Sequence, residues 1–321
     1  MLLQALQDAG IAAPLWCVTR EAAGIGETPA DPAQAAVWGL GRVAALEYPQ
    51  HWGGMIDLPA TLDDASAGHL RAALAGTDGE DQLAVRPDGV LARRLTPAPA
   101  GPADAGWRPR GTVLVTGGTG GRGSHVARWL AEHGAARLVL LSRRGPGAPG
   151  VPALEAELRA LGADVRVIAG DAGDRDTLAA LLAEPGLTAV VHAASDVDDG
   201  VLGDLTAARF AAVAAARVRP ALLLDELTAG LDLDAFVLFS SVAGSVGSPG
   251  RATGAAASAA LDAIAQRRRR PRPALPPRCP GAPGWASRTA PPRGLAPRCP
   301  RCTRTWPSPR CGRRSPRPSP C

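Results

Sequence analysis

Residues 112–123 read TVLVTGGTGGRG, and no other stretch constrains the fold as tightly. Five strand-forming residues end in a glycine-rich turn, and SHVARWLAEHG (124–134) continues with helical spacing. Gly118, Gly120 and Gly123 satisfy GxGxxG with a strand before and a helix after, which is the context that gives this spacing meaning. Glycine lets the main chain approach a pyrophosphate, and the helix N-terminus supplies free N–H groups and positive potential. A cradle of Thr116, Gly117, Gly118, Thr119, Gly120, Gly121 and Gly123 is therefore expected.

The pattern downstream extends this unit. RLVLLS (137–142), DVRVIAG (164–170), TAVVHAA (188–194) and AFVLFSS (235–241) are apolar runs of strand length. Between them ALEAELRALG (153–162), DRDTLAALLAE (174–184) and FAAVAAARVRPALLLDELTAG (210–230) have helical spacing, and ATGAAASAALDAIAQ (252–266) follows the last strand. Continuously apolar strands alternating with helices predict an α/β fold, a Rossmann-like doubly wound parallel sheet buried on both faces, over 112–266. Residues 1–98 predict a smaller α/β unit. It has strands in APLWCVT (13–19) and GGMIDL (53–58), a helix in 31–49 with Asp31 as N-cap and Pro32 at N1, and a strand pair joined at PDG in 81–95. Residues 99–111 read as a Pro/Gly/Ala linker.

Beyond the second strand, SRRG (142–145) places Ser142, Arg143 and Arg144 where an acid would bond the ribose 2′-hydroxyl of NAD. Two arginines suit a 2′-phosphate instead and favour NADP; the other reading is a solvated basic turn. Asp171, just past the third strand, either reaches the adenine or is a plain loop acid. The loop GSVGSPGRATGAAASAALDAIA (244–265) has the cadence of an active site entering a helix, yet it holds no effective proton donor. Arg251 is cationic, and Thr253 and Ser258 are weak hydroxyls. The chain has no lysine at all, so no mechanism here uses one.

From 112 to 266 the chain resembles short-chain dehydrogenases/reductases, and more narrowly the ketoreductase domain of modular type I polyketide synthases. GTVLVTGGTGG, SRRGP, LTAVVHAA, DDGVL and FVLFSSVAGSVGSPG carry the likeness. APLWCVTR, DPAQAAVWGLGRVAALE and WGGMIDLP resemble the truncated structural subdomain that precedes the catalytic half. The resemblance implies NADPH-dependent reduction of a β-ketoacyl group on an acyl carrier protein, alongside other synthase domains. It implies that Ala193 and Ala194 border the cofactor. In such enzymes a tyrosine protonates the ketone oxygen, a serine holds that oxygen, a lysine lowers the phenol pKa, and an asparagine supports the proton relay. Spacing carries these roles to Ser241, Gly254 (the Tyr position), Arg217 (the Lys position) and Ser258 (the Asn position). Only Ser241 is retained, so catalytic inactivity is expected. Arg122 replaces the apolar residue usual in GGLG, and Ser195 and Asp196 stand where AAGV is expected, so NADPH binding is expected to be weakened. Asp198 and Asp199 match the family's LDD, the mark of one stereochemical class.

The last 56 residues break every pattern. Residues 266–321 hold 15 Arg, 15 Pro and no acid, whereas the remainder carries all 30 acids against 20 Arg. A solvated basic segment and a nucleic-acid arm are two readings. The preferred one is a frameshift. Reverse-translating PGAPGWA (280–286) and shifting by two bases is compatible with Trp-Gly-Pro-Trp-Val-Gly, in register with the family's WGPW. Residues 267–321 are accordingly expected to be disordered, and the final strands and lid of the catalytic half to be missing. RCPRC (298–302) has no second CxxC and no His beyond 192, so no metal site is expected, and Cys17 reads as a lone core residue. No apolar run approaches about 18 residues and no leader is evident, so a cytoplasmic protein without membrane or nucleic-acid partners is expected.

Overall fold

A computed structural model describes residues 2–26, 29–76, 79–97, 106–194 and 198–269. The first half contains α1 (Leu2–Asp8), β1 (Leu15–Arg20), α2 (Pro32–Glu47), β2 (Trp52–Leu58), α3 (Asp64–Ala75), β3 (Gln82–Arg86) and β4 (Gly89–Ala92). Its sheet runs β1-β2-β3-β4, parallel until the β3–β4 hairpin. α2 starts as expected: the Asp31 carboxylate accepts from the Gln34 N–H at 2.9 Å, and Pro32 follows. α1 and α3 escaped the periodicity reading, although Asp63 caps α3 through the Ser66 N–H at 2.8 Å. Asp57 on β2 is fully buried and ties the half together. It accepts from Thr19 Oγ1 at 2.9 Å and the Ala22 N–H at 2.7 Å, and pairs with Arg86 at 2.8 Å.

The second half contains β5 (Thr112–Thr116), α4 (Gly121–Glu132), β6 (Arg137–Ser142), α5 (Val151–Ala160), β7 (Asp164–Ala169), α6 (Arg175–Leu182), β8 (Leu187–His192), α7 (Ala207–Leu227), β9 (Ala235–Leu238), α8 (Ala243–Val246) and α9 (Ala252–Arg269). Its strands are all parallel, in the order β7-β6-β5-β8-β9. Alternate side chains of β5 and β6 explain the unbroken apolar runs. Val113, Val115, Leu138 and Leu140 pack on Leu130 and Leu158 on one face, while Leu114, Val139 and Leu141 pack on Leu178 and Leu224 on the other. Each such buried side chain contributes roughly 1.5–3 kcal/mol. The order reverses direction beside β5, where the chain leaves to β6 on one side and β8 lies on the other. That crevice is where open α/β sheets bind ligands.

α2 and α9 join the halves by close backbone approach. A Cβ on Gly39 would lie 2.3 Å from the Ala255 carbonyl oxygen, so only glycine fits that crossing. This contact fixes the start of α9, the helix that carries Gly254 and Ser258.

Several boundaries differ from the sequence reading. The helix expected to end at 266 continues to Arg269, because Arg267 and Arg268 reach back to buried Asp225 at 2.9 and 3.1 Å and Arg268 lies over the Phe236 ring. The expected linker is partly docked: Trp107 packs on the core and Arg110 pairs with Asp234 at 2.6 Å. β9 stops at Leu238, three residues before Ser241. Cys17 is only partly buried, because β1 edges its sheet. The expected disorder and frameshift concern residues that, apart from 267–269, lie outside the described ones, as do Ser195 and Asp196. Among the described residues no helix is long and apolar enough to cross a membrane, and no cluster of metal-ligating side chains occurs.

Candidate functional site

A cleft of about 650 Å³ opens at the switch in strand order. Gly117, Thr119, Gly120 and Arg122 line one side, Ser142, Arg143, Arg144 and Asp171 the second, and Ala193, Ala194, Ala212, Ala215 and Ala216 the third. The volume falls in the usual range of about 300–1,000 Å³ for small-molecule sites. The sequence reading located most of this wall. It missed the alanines of α7, for which the small-residue run FAAVAAAR was the available signal.

The glycines are held by geometry. Gly117 has φ +72°, and a Cβ there would lie 2.6 Å from Ala194 Cα. A Cβ on Gly123 would lie 2.1 Å from the Gly117 carbonyl oxygen. The cradle is thus one that side chains would fill, which fits a pyrophosphate lying against main chain. Thr116, Gly118, Gly121 and Gly123 do not line the cleft. Gly118 packs toward Leu140, Gly121 opens α4, and Thr116 is fully buried. Ser142 acts as a staple: its Oγ accepts from Thr119 Oγ1 at 2.8 Å and from the Gly145 N–H at 3.1 Å, joining the glycine turn to the basic turn. Asp171 closes its own turn through the Gly173 N–H at 2.7 Å, while still facing the cleft.

Behind the cleft runs a buried polar chain. The Thr116 hydroxyl donates to His192 Nδ1 at 2.6 Å, and His192 Nε2–H donates to the Arg217 carbonyl at 2.9 Å. A carbonyl only accepts, so Nε2 carries a proton, and in the neutral ring Nδ1 is then the acceptor. Burial, and secondarily the Arg217 charge, push the His192 pKa down to about 4.

Arg217, Gly254 and Ser258 come together. The Arg217 guanidinium donates weakly to Gly254 O at 3.3 Å, Ser258 Oγ at 3.3 Å and Phe239 O at 3.5 Å. The residue is 5% exposed, its Nε has no partner, and burial holds its pKa below the ordinary arginine range. Among the described residues a Cβ on Gly254 would meet only Arg217 Nη1, at 4.0 Å. Ser258 is buried against α8, and a Cβ on Gly244 would lie 2.8 Å from Ser258 Cβ. Ser241 sits in the turn after β9, and its Oγ accepts from the Ala243 N–H at 3.3 Å; among the described residues no hydrogen bond joins it to the other three. Asp198 and Asp199 are not free loop acids: Asp198 is bidentate to Arg209, and Asp199 pairs with Arg251 at 3.1 Å.

Fold and cleft define the class: a doubly wound Rossmann-like α/β protein with a smaller α/β half before it. Comparison with known proteins narrows this. Residues 111–274 match the KR domain family model, and residues 1–95 match that of the Rossmann fold domain of polyketide synthase extender module SpnB. The chain belongs to the ketoreductase family of modular polyketide synthases. It is 56% identical over 261 residues to polyketide synthase GfsA of Streptomyces halstedii, covering 78% of this chain and 4% of that protein. It is 51% identical over 254 residues to pikromycin synthase component PikAIII of Streptomyces venezuelae, covering 77% and 16%. An A1-type ketoreductase structure superposes with TM-score 0.79 at 55% identity, covering 84% of this chain and 58% of that one. The first ketoreductase of the tylosin synthase gives 0.79 at 51%, covering 84% and 59%. The chain therefore spans under a fifth of these curated relatives and about three fifths of these solved ketoreductases.

Proposed function

We propose that this chain is a ketoreductase domain that keeps the dinucleotide cleft but has lost the ability to reduce a ketone. One observation carries the reading: the position from which a phenol would protonate the substrate oxygen is Gly254, and among the described residues only a buried guanidinium faces it. A guanidinium stays protonated at all working pH values and does not serve as a general acid. Thr253 does not substitute, since its hydroxyl donates to the Asp198 carbonyl at 2.9 Å and is far less acidic than a phenol. A positioned acid is worth about 10²–10⁴ in rate, and groups that act as a unit fail together.

NADPH is the cofactor of this reading and, when bound, would supply the hydride. The main chain of Gly117 to Gly120 would hold its pyrophosphate, and Arg143 and Arg144 its 2′-phosphate. Neutral His192, locked between Thr116 and Arg217, would keep the cleft floor rigid. The domain's partners on this reading are an acyl carrier protein and the other domains of a cytoplasmic synthase, within which it serves as a non-catalytic module. The experiment pairs two measurements on the same chain: NADPH titration, and NADPH oxidation with a β-ketoacyl thioester. Binding without turnover is expected. Turnover within tenfold of an intact ketoreductase, or no binding by a folded chain, overturns the proposal.

A further inference from the structure

The surroundings of Arg217 point to a second ligand that the reductase reading does not require. This cation is 5% exposed, its Nε has no partner, and its three contacts to neutral oxygens are 3.3–3.5 Å long. Burying a charge is costly unless an opposite charge or strong hydrogen bonds offset it. Nearby carboxylates are committed elsewhere: Asp198 to Arg209, Asp199 to Arg251, and Asp225 to Arg267 and Arg268. Asp262 acts on the Arg217 charge from a distance but forms no ion pair with it, and burial holds its own carboxyl above the usual range. Among the described residues no acid pairs with Arg217. The nearby Arg122 guanidinium, which lines the cleft, adds to the positive potential. The guanidinium is not sealed on every side. Nη1 faces Gly254, which is partly exposed, and among the described residues nothing but this 4.0 Å contact meets the place where a side chain would stand.

We propose that the space between Gly254 and Arg217 is a binding site for a small carboxylate anion. A carboxylate matches a guanidinium in charge and planarity. A multivalent oxyanion brings more charge than one buried cation offsets, and a larger hydration shell to lose. The site is defined by Arg217 and by glycine at 254, and it does not depend on dinucleotide binding.

The test is thermal unfolding of the full chain in sodium acetate and in sodium chloride at equal ionic strength. Acetate is expected to raise the midpoint with the logarithm of its concentration above its dissociation constant, by roughly 3 °C at tenfold excess, and chloride is not. Gly254→Glu places a tethered carboxylate in the same space, so it should raise the midpoint in plain buffer and abolish the acetate response. Gly254→Gln should abolish the response with a smaller gain, the part that any side chain in place of a helical glycine brings. Arg217→Met should abolish it too; if that variant does not fold, the Gly254 pair decides alone. A chloride response equal to that of acetate, no acetate response in the parent, or an acetate response that persists in Gly254→Glu overturns the proposal.

Discussion

Gly254→Tyr is expected to return part of the missing chemistry. Among the described residues the new Cβ would have nothing nearer than Arg217 Nη1 at 4.0 Å, so the substitution starts without a clash. Two energies must be kept apart. Glycine inside a helix is worse than alanine by roughly 0.5–1 kcal/mol, so Gly254→Ala should stabilise α9 by about that much and leave turnover at background. A correctly placed general acid is a separate quantity of about 10²–10⁴ in rate, or ~3–5 kcal/mol of barrier. The lower end is expected, because Arg217 and buried Ser258 still stand at the flanking positions. The Arg217 charge favours the phenolate and would hold the phenol below its ordinary range. NADPH oxidation with a β-ketoacyl thioester should therefore rise about 10²-fold over the parent in Gly254→Tyr. The rise should follow the acidic form of a single group across a pH series. A Tyr variant that is folded and binds NADPH but turns over no faster than the parent would refute the reasoning. So would an Ala variant that matches the Tyr variant.

Four further outcomes are expected. Gly123→Ala should abolish NADPH binding by titration while circular dichroism stays unchanged, because its Cβ would sit 2.1 Å from the Gly117 carbonyl and deform the cradle. Arg143→Ala with Arg144→Ala should erase any preference for NADPH over NADH, read as a ratio of dissociation constants; an unchanged ratio counts against a 2′-phosphate site. Asp57→Ala should cost about 3–5 kcal/mol in urea unfolding, since it leaves Arg86 without its buried partner and the Thr19 and Ala22 donors unmet. His192 titrates near 4 in the folded chain and near 6.5 when unfolded, so the unfolded state binds the extra proton between those values. Its contribution, roughly 3 kcal/mol, should be complete above pH 6.5 and lost as pH falls to 4. His192→Gln should flatten that window of the stability–pH profile.

The sequence by itself determined the sheet and the glycine-rich turn. Those features rest on local rules: apolar runs too long for one-sided burial, and glycines between a strand and a helix; the weight given to Gly254, thirteen residues after Ser241, rests on the family resemblance instead. The start of α2 was legible from its Asp31 cap, whereas α3 was missed although Asp63 caps it in the same way. Only the tertiary structure decided which glycines face the cleft and which merely let backbones touch, because that depends on atoms from other elements: Ala194 beside Gly117, Leu140 beside Gly118, and Ala255 beside Gly39. It also decided where α9 ends. RRRR reads locally as the start of a basic tail, but Asp225 lies one helix away, and an acid buried on α7 draws Arg267 and Arg268 into the fold. Arg217 shows the same division. Its identity was legible along the chain, but that it lies buried against Gly254 and Ser258, with no ion-pair partner among the described residues, follows from the packing of α7 against α9. No pattern along one chain encodes the distance between two helices.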